Sequence, residues 1–443
     1  MTASGSRTPR LSGSGRGALT LIGGTAIGQL IALCLAPALS RLYTPRDFGA
    51  FTILSVMVAT LGVVSTLRLD FAVPLPADEE TAHSLIGLGV LSALGFTVLG
   101  TMAVAFGGEW IASAFSEPRL LPWLWLVPIS GSVMGVYLLL NQLAIRHRRY
   151  GSIARRNVLQ SSAMMTVQVL AGVAGLKRGG LVVGLAVGYL VGALTLSSGA
   201  GLFSTEARRG RQRAAMRLTF ARYRRFPILL APAGLLNVLG QQLPLLLVAL
   251  WFGTQEAGWL GLTQRVLALP VALIGIALSQ VYLAEVSRAA RSDLLQAMRL
   301  FQRSTKLLTI VATVLLAVLL AFGPALFALV FGNEWRQSGE FARALALALA
   351  GQMVGAPLSQ TLIVLEKQRL QLWWDAGRVL ATTAAVGVAA ALGAPALLAV
   401  WLLSATWAIL SALSWWLCYC ALRDRLAADA GRDDSDAASR ETP

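Results

Sequence analysis

A chain of 443 residues that is 56% hydrophobic and only 13% charged cannot clothe a water-soluble surface, which takes about a quarter of the residues charged. Its net charge of +16 does not mark a nucleic-acid binder, because the arginines fall in short clusters between long apolar runs and not on one face of a foldable unit. Cys34, Cys418 and Cys420 lie inside apolar stretches without zinc or disulfide spacing, and His83 and His147 are the only histidines, so the sequence predicts no metal site and no cofactor.

In chain order, residues 1–17 are rich in Ser, Gly and Arg and read as a disordered cytoplasmic leader, not a cleaved signal peptide. Twelve apolar runs follow, each long enough for the ~20 residues that cross a bilayer. They cover 18–40, 48–67, 84–107, 120–142, 157–176, 180–203, 226–251, 257–283, 307–332, 344–364, 370–392 and 395–421. The runs are continuously apolar, which excludes a β-barrel. The expectation is an all-α membrane protein of about twelve spans, multi-pass in the bacterial inner membrane.

Most Lys and Arg residues fall on one side once the N-terminus is placed in the cytoplasm, and both ends then face inward. That assignment puts Arg146, Arg148, Arg149, Arg155 and Arg156 in one cytoplasmic loop. The predicted domains are a six-helix lobe over 18–203, a basic linker over 204–225, a second six-helix lobe over 226–421, and a disordered tail over 422–443. Segments 204–225 and 284–306 mix arginines with Met216, Leu218, Phe220, Leu294, Leu295, Met298 and Phe301. They read either as amphipathic helices on anionic headgroups or as basic loops that fix topology. No gap between runs accommodates a soluble enzyme domain, and no GxxxxGK[ST] pattern for ATP hydrolysis exists. Gly28-Gln29-Leu30 and Gly240-Gln241-Gln242-Leu243 each open a run that closes on Phe48-Gly49 or Gly258-Trp259, a weak repeat at half the chain length.

The stretch Leu39-Ser40-Arg41-Leu42-Tyr43-Thr44-Pro45-Arg46-Asp47-Phe48-Gly49 resembles the first periplasmic turn of Wzx-type oligosaccharide flippases. These form the polysaccharide-biosynthesis branch of the multidrug/oligosaccharidyl-lipid/polysaccharide exporter superfamily. Leu67-Arg68-Leu69-Asp70-Phe71-Ala72-Val73-Pro74-Leu75-Pro76 is similar to the pattern that closes their second span, with Asp70 in place of an expected Glu. Tyr223-Arg224-Arg225-Phe226-Pro227, Gln264-Arg265-Val266-Leu267-Ala268-Leu269-Pro270, Leu278-Ser279-Gln280-Val281, Phe331-Gly332-Asn333-Glu334-Trp335 and Ala356-Pro357-Leu358-Ser359-Gln360 extend the likeness over about 18–420. The resemblance implies a two-lobe bundle that moves an undecaprenyl-diphosphate-linked oligosaccharide between leaflets. Its partners would be that substrate, membrane lipids, and the polysaccharide polymerase and chain-length machinery, with no nucleic acid.

A charge at the centre of a span costs roughly 2.5–3.5 kcal/mol, so each one kept there needs a reason. Arg265 lies ~12 Å into its run at 1.5 Å per residue, beside Thr263 and Gln264, and Arg378 lies equally deep. Either arginine serves as a cavity cation, or Arg265 stitches the lobes through an ion pair and Arg378 is neutralised by Asp375 on the same helical face. Arg41 and Arg68 sit at span ends, where snorkelling is the alternative; their place in the family-like motifs supports a substrate role. Among the intramembrane amides, Asn237, Gln241 and Gln264 are the sugar-contact candidates. Gln29, Gln160, Gln168, Gln242, Gln280, Gln352 and Gln360 read as interhelical hydrogen bonders. Gly180, Gly184 and Gly188 form a packing ridge, and Pro37, Pro244, Pro270 and Pro357 either permit bending or merely kink their helices. Asp70, Asp375 and Glu366 are candidate ion-coupling acids. Two further classes stay open. An organic-cation antiporter needs buried carboxylates where this chain has arginines, and a polysaccharide polymerase or ligase needs a large periplasmic loop that the runs do not leave.

Overall fold

The structure is a computed structural model that describes residues 13–202, 204–210, 212–268, 282, 285–286, 294–359, 361 and 368–440. Among them there are helices and turns and no strands. The transmembrane candidates are α1 (Gly13–Leu42), α2 (Pro45–Ser65), α3 (Glu79–Ala114), α4 (Leu126–Arg146), α5 (Tyr150–Val173) and α6 (Lys177–Ser197). A short linker helix α7 (Arg213–Tyr223) leads to α8 (Ala231–Phe252), α9 (254–268), α10 (Leu294–Phe331), α11 (Arg336–Leu358), α12 (Gln368–Ala391) and α13 (Ala396–Arg440). Nine helices among the described residues are long and apolar enough to cross a membrane. The three outside that set are α5, which is too polar, α9, which is described only to residue 268, and α12, whose apolar part is the shorter Gly377–Ala391.

The start of α2 shows why the chain turns where it does. Thr44 is the cap, Pro45 takes the first helical position, and Asp47 closes a reciprocal box. The Thr44 amide donates to Asp47 Oδ2 at 3.0 Å and the Asp47 amide donates to Thr44 Oγ1 at 3.3 Å. At the other end of α2, Leu67 and Arg68 are both left-handed, with φ of 53° and 56°. That conformation costs a non-glycine residue on the order of 1–3 kcal/mol. Burial of Leu69, Ala72 and Val73 beneath the turn offsets it. The start of α3 is capped by Asp78, which accepts from the Thr81 amide at 2.7 Å.

The chain divides into two compact units, one of residues Met1–Tyr43 and Ile53–Val238, the other of Thr44–Thr52 and Leu239–Pro443. These bounds differ from lobes cut at 203 and 226. The first turns of α2 pack with the second unit, and the linker and the start of α8 pack with the first. In the first unit, a core of Leu69, Leu85, Leu139, Leu143 and Ile153 joins α3, α4 and α5. In the second, Tyr282, Phe301, Leu308, Cys418 and Leu422 form a core with Trp415 and Tyr419 packed against it.

Four element boundaries differ from those read in the sequence. Helix α5 begins at Tyr150, so Arg155 and Arg156 belong to the helix and not to a cytoplasmic loop. Residues 294–306 continue into α10 without a break, because no Pro or Gly interrupts them, so they are not a separate interfacial helix. The tail placed over 422–443 continues α13 as far as Arg440, on a stretch rich in the helix former Ala, and α1 starts at Gly13, inside the stretch read as a leader.

Candidate functional site

Helices α8, α11, α12 and α13 surround a cavity of about 260 Å³ within the second unit. Glycines make it possible. A Cβ on Gly240 would lie 2.7 Å from Val379, the neighbour of Arg378, so only glycine lets α8 approach α12 there. Gly351 and Gly355 similarly bring α11 against Ser411 of α13, at 3.1 and 3.3 Å from a built Cβ. Arg378, Gln241 and Gln352 supply a cation and two amides to the cavity wall, and Ser359, Ser411 and Ser414 supply hydroxyls. Trp407 contributes an indole whose buried Nε1–H finds no hydrogen-bond acceptor among the described residues. A buried indole N–H ordinarily has a partner, so this one is available to a ligand or to water. Among the described residues, no carboxylate lines the cavity.

Arg265 lies on α9, half-buried, with its guanidinium 5.8 Å from the centre of the Phe51 ring. Its helix is held by close contacts within the second unit. A Cβ on Gly258 would overlap the Pro45 carbonyl, and one on Gly49 would overlap the Thr254 carbonyl. Thr263 Oγ1 donates to the Ser338 carbonyl at 2.8 Å, and Trp259 Nε1 donates to the Glu334 carbonyl at 2.9 Å. Trp335 is buried edge-on against Phe48 at 4.9 Å. Gly49, Phe48 and Trp335, in family-like motifs, and Gly258, at the end of the internal repeat, thus hold the second unit together. Gln264 is half-buried on the same helix.

In the first unit, Arg68 lies 4.4 Å over the Phe71 ring and 4.0 Å from the buried Asp70. A Cβ on Gly234 would meet Arg68 Nε at 2.7 Å, so the guanidinium rests on bare backbone. Burial raises the Asp70 carboxyl above the usual carboxylate range, with the Arg68 charge pulling it down less strongly. Arg41 is exposed in the last turn of α1, and Asn237 is exposed on α8. The structure therefore groups Gln241 with Arg378, and Arg68 with Asp70. Glu366 and the side chain of Asp375 lie outside the described residues, as do Pro270, Gln280 and Gln360.

One buried cation escapes a reading by span depth. Arg156 is 6% exposed, stacks 4.4 Å over the Tyr137 ring, and donates to Tyr137 Oη at 2.5 Å, Gln160 Oε1 at 3.1 Å and Asn141 Oδ1 at 2.9 Å. All three acceptors are neutral. The signal available in the sequence was the i,i+4 pair Arg156–Gln160 flanking Asn157, which marks one polar helix face and not a loop.

Comparison with known proteins places these features in context. A family model described as Polysaccharide biosynthesis protein matches residues 38–340. The succinoglycan biosynthesis transport protein ExoT of Rhizobium meliloti (strain 1021) is 25% identical over 378 residues, covering 80% of this chain and 70% of that protein. The lipid II flippase MurJ in an inward closed conformation has a TM-score of 0.68 at 11% identity, over 90% of this chain and 86% of its own. An inward-facing multidrug resistance MATE transporter of the MOP superfamily gives 0.62 at 11% identity, over 91% and 96%. At such identities the two structural likenesses are likenesses of fold.

Proposed function

The chain belongs to the polysaccharide biosynthesis protein family, and from that premise we propose that it is a flippase for lipid-linked oligosaccharide. In this reading it carries an undecaprenyl-diphosphate-linked repeat unit from the cytoplasmic to the periplasmic leaflet. The problem is one of solvation. The polyprenyl tail stays in lipid, while diphosphate and sugars must cross an apolar core. A cavity that offers a cation to the phosphates, and amides, hydroxyls and an indole to the sugars, lowers that barrier.

The observation that carries the reading is the second unit's cavity, whose described lining brings Arg378, Gln241, Gln352, three serines and Trp407 together and includes no carboxylate. A site for organic cations needs the opposite sign. Its volume of about 260 Å³ is below the roughly 300–1,000 Å³ that encloses a whole small-molecule ligand, which fits contact with part of a larger substrate. Arg265, Arg68 and Arg41 are the further cations of this proposal, with Asn237 and Gln264 as added sugar contacts. Asp70, Asp375 and Glu366 are its ion-coupling acids, and alternating access of two lobes is its mechanism. The expected relay partners are the polymerase and chain-length machinery of the same glycan.

The test is to delete the gene in its own host and follow the lipid-linked glycan. Completed repeat units should accumulate on the cytoplasmic face and be cleared by wild type. Arg378→Ala, still present in the membrane, should restore export at least ~10-fold less well, as expected when one charged hydrogen-bonding group is lost. Normal export together with altered sensitivity to cationic drugs would overturn the proposal.

A further inference from the structure

Apart from the candidate site, the first unit contains a larger space, a groove of about 610 Å³ between α3, α4 and the linker. Ile86, Val90, Leu91 and Leu94 line it from α3, and Val136 and Leu140 from α4. Leu91 and Leu94 are 60% and 59% exposed, so the groove opens sideways along α3. Its other end is polar. Arg213 and Met216 of α7 close it there, together with His83, and Arg213 is exposed. His83 is fixed in place, with Nδ1 2.8 Å from the Glu79 carbonyl and Nε2 3.2 Å from the Ala200 carbonyl.

We infer that this groove holds one chain of an anionic phospholipid, with the lipid phosphate on Arg213. Three observations converge on that occupant. First, His83, Gly87, Leu91 and Leu94 follow helical spacing on one face of α3, and the eleven-residue rise from His83 to Leu94 is ~16 Å, the scale of an acyl chain. Second, polarity is graded along the groove: the cation sits at one end only, and everything beyond it is apolar. Third, Arg213 is one of eight arginines between Arg208 and Arg225, a density that draws anionic headgroups to a cytoplasmic surface. A zwitterionic lipid carries the same phosphate, but its ammonium offsets that charge, so it gains less from Arg213 and the arginine-rich linker than an anionic lipid does. The bound lipid ties the linker helix to the start of α3, since chain and phosphate touch different elements.

The experiment uses the full-length protein, delipidated in detergent and titrated with phosphatidylglycerol or with phosphatidylcholine of the same chain length, read by native mass spectrometry. Wild type should retain phosphatidylglycerol in preference. Arg213→Glu should weaken that retention about 10-fold, while Arg217→Glu, which changes an exposed arginine outside the groove, should weaken it no more than about 2-fold. Leu94→Trp, at a site exposed enough to accept the larger ring, should exclude both lipids at unchanged melting temperature. Equal retention of the two lipids by wild type would overturn the inference, as would equal losses in Arg213→Glu and Arg217→Glu. So would displacement of phosphatidylglycerol by an equimolar polyprenyl phosphate, because the groove would then belong to the transported lipid.

Discussion

The carboxyl of Asp70 is buried beside Arg68, and burial outweighs the guanidinium in setting its affinity for a proton. Because the folded value is raised, the folded protein binds this proton more tightly than the unfolded chain. The contribution to stability is present at low pH and is lost as pH rises through the folded value. Asp70→Asn fixes the neutral form. It should melt above wild type near about pH 8, with the difference shrinking toward about pH 4, as followed by tryptophan fluorescence in detergent. A variant that melts lower at the alkaline end would show that the Arg68 pair dominates. At Arg156 the expectation runs the other way. Arg156→Met strands Tyr137, Asn141 and Gln160 around an apolar chain, and the loss of charged hydrogen bonds should cost about 2 kcal/mol of unfolding free energy in a denaturant series.

Helix α5 is the least lipid-like of the first six, and its neighbours explain how it is accommodated. Asn157 Nδ2 donates to Thr25 Oγ1 at 2.9 Å, Gln168 Nε2 donates to the Leu181 carbonyl at 2.8 Å, and the Gln168 carbonyl accepts from Tyr43 Oη at 2.6 Å. Small residues bring the partners close enough for these bonds. A Cβ on Gly28 of α1 would lie 2.9 Å from the Asn157 carbonyl, and one on Gly188 of α6 would lie 2.9 Å from Met164 Cβ. Gly184 faces Gln168 still more tightly, so the ridge of Gly180, Gly184 and Gly188 is a packing device. Gly184→Leu should therefore lower stability by about 1–3 kcal/mol, the range for overpacking. Gly95→Ala and Gly107→Ala on α3, where nothing lies within 4 Å of a built Cβ, should be neutral or stabilising by up to about 1 kcal/mol. Thermal-shift curves on the three purified variants make the comparison.

For the whole molecule, the alternation of helices and basic segments makes a topology prediction. Each half offers six helices counted through α6 and through α13, although only nine among the described residues meet the length and hydropathy of a span. A reporter inserted at Ser204 should read cytoplasmic, and one at Gly175, in the left-handed turn between α5 and α6, should read periplasmic. A cytoplasmic reading at Gly175 would remove α5 from the set of spans and reverse the sidedness of α6. The chain is a multi-pass inner-membrane transport protein of polysaccharide biosynthesis, and in the proposed flippase function its sidedness would decide from which face the newly made glycan enters.

Composition alone determined that this protein lives in a bilayer and is helical, because 56% hydrophobic residues in runs of about 20 leave no other way to satisfy backbone and surface together. Motif order was enough to point to the family. What only the tertiary structure decided was which polar groups meet. Gln241 and Arg378 are more than a hundred positions apart, and only the approach of α8 to α12 at Gly240 places them on one cavity. Arg156 looked like a loop cation because the apolar run in the sequence begins at 157, one residue after it. Its burial depends on Tyr137 and Asn141 arriving from α4. Hydropathy sums over neighbours along the chain, whereas the energy of a buried polar group is set by neighbours across helices.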